Sequence, residues 1–141
     1  MGMGNKVFID SSVFIALLNK DDSLHKKAVD LIKNMQENGL EPITSNFVLN
    51  EVITVLSLRV NKKTALFFAE FSHAKDSALN VISVGEKIEN KAIDYLKKIK
   101  SKNISFCDCT ILAILDLFEI KNIATFDKDF NIKDANFKII N

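Results

Sequence analysis

The chain has 141 residues, 48% of them hydrophobic, with eleven Phe, one Tyr and no Trp. That suffices for one domain over residues 1–141 that buries roughly 68–70% of its unfolded surface without staples. Nineteen basic and eighteen acidic residues leave a net charge of +1, which excludes a protein that coats nucleic acid by bulk charge but not a basic rim around an acidic site.

In chain order, Lys6-Val7-Phe8-Ile9 is an apolar run ending at Asp10-Ser11-Ser12, and Val13 to Leu18 reads as a buried helix. Strand, polar turn and helix open an α/β unit. Asp21-Asp22-Ser23 offers N-cap chemistry for a helix from Leu24 to Glu37, whose Leu24, Ala28, Leu31, Ile32 and Met35 follow helical spacing before Asn38-Gly39 stops it. Pro42-Ile43-Thr44-Ser45 is a short strand, and Ser45 or Asn46 caps a helix over 47–59. A break at Asn61 precedes a helix over 64–74, in which Phe67, Phe68 and Phe71 read as core. Any of these aromatics left exposed suits a partner surface. Residues 79–84 alternate as a strand ended by Gly85; helices follow over 86–100 and 106–118, and strands over 123–126 and 137–140. The alternation predicts an α/β fold, a three-layer α/β/α sandwich with a mostly parallel sheet of about five strands.

No run of about 20 apolar residues is present, so no membrane span is expected. The first residues lack the apolar middle of a secretory signal, and Gly2 opens no myristoylation motif because position 6 is Lys. Cys107 and Cys109, two apart on an expected helix, point to different sides and suit packing better than a disulfide, which implies reduced thiols and a cytoplasmic protein.

Four acids stand where apolar runs end or are interrupted: Asp10, Glu51, Asp108 and Asp127. A charge beside core-forming segments is costly unless compensated, and a bound hard divalent cation is one compensation. Each has a plainer reading. Asp10 fits a helix N-cap, Ser105-x-x-Asp108 fits a capping box, and Asp127-Lys128-Asp129 fits a turn. Glu51 shares a helical face with Phe47, Val55 and Leu58 and so interrupts an apolar surface, unless that stripe reaches solvent or Glu51 pairs with a base. Asp129 and Asp134 read as solvated, His25 and His73 as surface residues. Lys62-Lys63 and the run Lys97-Lys98-Ile99-Lys100-Ser101-Lys102 fit either phosphate contacts or solvated helix ends.

The run Phe8-Ile9-Asp10-Ser11-Ser12, the helical Glu51, Asp108 at the start of a late helix, Ile123-Ala124-Thr125-Phe126-Asp127-Lys128-Asp129-Phe130 and Asp22-Ser23-Leu24-His25-Lys26-Lys27-Ala28 together resemble a PIN domain. The nearest subgroup is the VapC-type toxins of toxin–antitoxin pairs. The resemblance spans essentially the whole chain and rests on the combination of short motifs. It implies a Mg2+- or Mn2+-dependent endoribonuclease with Asp10, Glu51, Asp108 and Asp127 as catalytic, metal-holding acids. Ser11, Ser12 and Thr125 are its supporting polar residues. It also implies an RNA substrate, a homodimer and a small antitoxin partner. A dehalogenase-type phosphatase needs a second Asp where Ser12 stands, and a receiver needs a phospho-acceptor Asp where Val84-Gly85 stands. The competing class is a non-catalytic module that keeps this fold to bind RNA or protein.

Overall fold

The computed structural model describes residues 3–141, so Gly2 lies outside the described residues. Its elements are β1 (Lys6–Ile9), α1 (Ser11–Leu18), α2 (His25–Glu37), β2 (Glu41–Ser45), α3 (Asn46–Arg59), α4 (Lys62–His73), β3 (Asn80–Ile82), α5 (Glu86–Lys98), α6 (Phe106–Leu117), β4 (Asn122–Ala124) and β5 (Lys138–Ile140). The sheet is five-stranded in the order β3-β2-β1-β4-β5, and every pairing is parallel. The crossovers from β1 to β2 to β3 carry α1–α4, and the return from β3 to β4 carries α5 and α6; the right-handed rule for parallel crossovers places these two groups on opposite faces. The packing agrees: α1 lies on α2 and α3, α3 on α4, and α5 on α6. The expected three-layer α/β/α sandwich is therefore present.

β1 is central and covered on both faces, which explains its unbroken apolar run; Val7, Phe8 and Ile9 are buried. β1 is also the strand at which the chain reverses its direction across the sheet, with β2 and β3 to one side and β4 and β5 to the other. Open α/β sheets bind ligands outside the carboxyl ends of the strands at such a reversal. Asp10 follows β1 directly, and Thr125 follows β4.

Local chemistry sets the helix ends. The Ser45 hydroxyl accepts from the Val48 amide at 3.2 Å, and Asn61 Oδ1 from the Thr64 amide at 2.7 Å. Asn46 turns instead to β3's exit, accepting from the Val84 amide at 2.8 Å. Gly39 ends α2 with φ of 64°, the left-handed conformation glycine tolerates best.

Several expectations are corrected. No side chain caps α2; Asp22 Oδ1 instead accepts from the Leu24 amide at 2.8 Å in a turn before it. β3 is confined to Asn80–Ile82 because it is a sheet edge with Asn80 in solvent, and α5 ends at Lys98 because Ile99 is extended. Of the three phenylalanines on α4 only Phe68 is core, packed on Phe14 with ring centroids 5.1 Å apart. Phe67 is 61% exposed and stacks on Phe71 in solvent.

Candidate active site

Asp10 occupies the N-cap position of α1, yet its side chain makes no capping bond. The N-cap reading of Asp10 thus holds for its position but not for its side chain. Its carboxylate, 5% exposed, turns back toward the ends of β1 and β4. Thr125 Oγ1 donates to Asp10 Oδ2 at 2.8 Å, and Ser12 Oγ donates to the same oxygen at 3.1 Å. Each hydroxyl also accepts from the segment that leaves β4: Ser12 Oγ from the Phe126 amide at 3.1 Å, Thr125 Oγ1 from the Asp127 amide at 3.0 Å. With both hydroxyl protons committed, the 3.4 Å approach between Ser12 and Thr125 is a contact rather than a bond.

Ser11 completes the bridge to α3. Its hydroxyl lies 3.1 Å from Glu51 Oε2 and 3.4 Å from Asp10 Oδ1, and its single proton serves the nearer carboxylate. Asp10 Oδ2 thus has two hydroxyl donors, and the Ser11 amide adds a further hydrogen bond to the carboxylate. Glu51 reaches this position for a different reason from the one read in the sequence. The stripe of Phe47, Glu51, Val55 and Leu58 faces outward, with Leu58 80% exposed, and the buried face of α3 is Val48, Leu49, Val52 and Leu56. Glu51 is a surface carboxylate tethered by Ser11. It has no basic partner: among the described residues the only ion pair is Lys91–Asp116.

Asp108 and Asp127 both perform their plainer tasks. Asp108 forms a full capping box, Oδ2 accepting from the Ser105 amide at 3.0 Å while the Ser105 hydroxyl accepts from the Asp108 amide at 3.0 Å. Asp127 Oδ1 accepts from the Asp129 amide at 2.9 Å, starting a short 3-10 turn over Lys128–Phe130.

Electrostatics nevertheless link the four acids. Burial holds the Asp10 carboxyl above the usual range against hydrogen bonds from Thr125, Ser11 and Ser12, and the charge of Glu51 adds to the rise. Asp108 is pushed up to about 6, first by burial and then, against its bond from Ser105, by the charges of Asp10 and Asp127. Cys107, in the first turn of α6, is pushed up to about 12 by burial and by the charges of Glu51, Asp108 and Asp10. Its placement among these acids was not legible in the sequence, where it read as a packing residue. Asp129, read as solvated, also belongs to this neighbourhood: desolvation and the charge of Asp127 raise its carboxyl. Asp134 is solvated as expected. Both cysteines are free.

Among the described residues no group of three or more Asp, Glu, His or Cys side chains stands close enough together to hold a metal ion. The chemistry of the donors still fits a hard divalent ion: oxygen ligands throughout, with Asp10 and Asp108 both raised, first by desolvation and then by neighbouring acids, and no ion pair to either among the described residues. Such ions keep several waters, so two or three carboxylate oxygens suffice.

The PIN-domain family model matches residues 7–136. The chain is 30% identical over 125 residues to "23S rRNA-specific endonuclease VapC20" of Mycobacterium tuberculosis, covering 89% of this chain and 92% of that one. It is 30% identical over 132 residues to "Ribonuclease VapC1" of Aquifex aeolicus, covering 92% of this chain and 86% of the relative. The crystal structure of M. tuberculosis VapC20, a sarcin–ricin-loop-cleaving toxin, superposes with a TM-score of 0.76 at 29% identity over 88% of this chain and 92% of that one. The buried Asp10 at the reversal of a five-stranded parallel sheet, the match over nearly the whole length and these relatives agree: the chain belongs to the PIN-domain family, among its VapC-type members.

Proposed function

We propose that the chain is a metal-dependent endoribonuclease that hydrolyses RNA phosphodiester bonds, the toxin of a VapBC-type toxin–antitoxin pair. The observation that carries this reading is the Asp10 carboxylate, buried at the sheet's point of reversal, raised by desolvation, held by two hydroxyls and compensated by no cation. Its relatives VapC20 and VapC1 carry endonuclease and ribonuclease names.

Asp10, through Oδ1, and Asp108, through the oxygen its capping box leaves free, would be the principal ligands of Mg2+ or Mn2+. Glu51 and Asp127 would complete the shell or orient the attacking water. When bound, the ion supplies polarisation of a phosphate oxygen and a water of lowered pKa. The protein's own contribution is positioning. Thr125 and Ser12 fix the Asp10 carboxylate and tie the exit of β4 to it, and Ser11 brings Glu51 in from the surface of α3. The four acids repel the RNA backbone, so cleavage without a divalent ion should be negligible.

The same reading includes a homodimer and a small antitoxin. The exposed Leu58, Leu66, Phe67 and Phe71 on α3 and α4 supply apolar surface for a protein partner. Among the described residues no helix is long and apolar enough to cross a membrane; the cytoplasm is the proposed compartment. Incubation with a mixed RNA pool tests the activity. Cleavage should require Mg2+ or Mn2+, stop with EDTA and be absent in Asp10→Ala of unchanged circular dichroism. Wild-type cleavage rates in that variant would remove Asp10 from the mechanism. Light scattering tests the dimer, and a monodisperse monomer at micromolar concentration would contradict it.

A further inference from the structure

The acidic cluster repels the backbone it is proposed to cleave, and a net charge of +1 leaves no bulk field to offset that repulsion. A cation has to stand at the edge of the site, close enough to meet a phosphate and not already neutralised. Lys27 meets both conditions. It is exposed in the first turn of α2, and its Nζ lies 5.8 Å from the centroid of the Phe126 ring. Phe126 is the residue between Thr125 and Asp127, and its amide donates to Ser12 Oγ, which donates to Asp10 Oδ2. The ring is thus fixed two hydrogen bonds from the buried carboxylate.

A π face attracts an ammonium without cancelling its charge or occupying its N–H donors. Lys91 offers the contrast, since its ammonium is held by Asp116 at 3.0 Å. We propose that Lys27 binds a phosphate of single-stranded RNA next to the scissile bond, and that Phe126 is a positioning residue that holds the ammonium over the site. The inference rests on the ribonuclease reading and adds to it a named substrate contact.

The test measures initial cleavage rates of a mixed-sequence single-stranded RNA pool across substrate and salt concentrations. The proteins are the full chain and its Lys27→Gln, Lys27→Arg, Phe126→Leu and Lys102→Gln variants. Loss of one charge-assisted phosphate contact should raise the apparent KM of Lys27→Gln on the order of tenfold with little change in kcat. Its dependence of log(kcat/KM) on log salt should become shallower by about 0.7, the single-strand value for one phosphate. Lys27→Arg should restore both, and Phe126→Leu should fall between Lys27→Gln and wild type. Lys27 is exposed, so its variants test the idea even if Phe126→Leu folds poorly. Wild-type KM and salt slope in Lys27→Gln, while the wild type cleaves, would overturn this inference alone. Equal losses in Lys102→Gln would also overturn it, because the attraction would then be diffuse. A wild type that cleaves no RNA overturns the ribonuclease reading and this inference with it.

Discussion

Replacing Asp108 by Asn should stabilise the metal-free protein, although Asp108 caps its own helix. Asn keeps an oxygen for the Ser105 amide, so the capping box survives while the charge goes. The carboxyl is pushed up to about 6, from an ordinary 3.8, by burial and by Asp10 and Asp127. Because the folded value lies above the unfolded one, the native state holds the proton more tightly between those two pH values. Stability therefore falls as pH rises through that window and stays lost above it. The full difference is about 3 kcal/mol. Asp108 is only partly buried, so solvent screening reduces this to about 1 kcal/mol. For a chain of this length that corresponds to about 3 °C in Tm. Thermal melts in EDTA should show little difference between variant and wild type near pH 4 and a plateau in the variant's favour above pH 6.5. Adding Mg2+ should stabilise the wild type and leave the variant nearly unmoved, reversing the order. A variant less stable than wild type in EDTA at pH 7.5, or a difference independent of pH, would refute charge strain at this position.

Thr125→Val removes the proton donated to Asp10 and the acceptor of the Asp127 amide; it should cost about 1–3 kcal/mol in denaturant melts and weaken Mg2+ binding in calorimetry. Ser11→Ala frees Glu51 without touching RNA and should lower kcat on the order of tenfold with KM unchanged, as expected for roughly 1.4 kcal/mol of lost positioning. Cys107, pushed up to about 12, should react slowly with maleimide at pH 8; saturating Mg2+ should speed the reaction by screening the acids, with Cys107→Ser as the control.

Much of this arrangement was legible in the chain. β1 ends where the charge begins, because a strand covered on both faces tolerates no carboxylate until it leaves the sheet, and that placed Asp10. The Ser105-x-x-Asp108 spacing is local and was read correctly down to its reciprocal bonds. What periodicity could not supply was which face of a helix meets the core. α3 and α4 are both apolar enough to offer two candidate faces, so Glu51 was read as interrupting an apolar surface, with a solvent-reaching stripe as the alternative, and Phe67 and Phe71 as core unless exposed for a partner. In the fold α3 buries the adjacent face, and Glu51 is tied to the site by Ser11 and by a hydrogen bond with Cys107. Contacts between remote elements, such as Lys27 over Phe126 or Cys107 among the acids, leave no trace in local spacing. They follow from β1 and β4 becoming neighbours.

Anomalous diffraction from crystals soaked in Mn2+ decides whether these carboxylates share a divalent ion. A manganese peak is expected within direct ligand distance of Asp10 Oδ1 and an Asp108 oxygen, lost in Asp10→Asn. Manganese bound only elsewhere on the surface, with none beside Asp10 and Asp108, would contradict it.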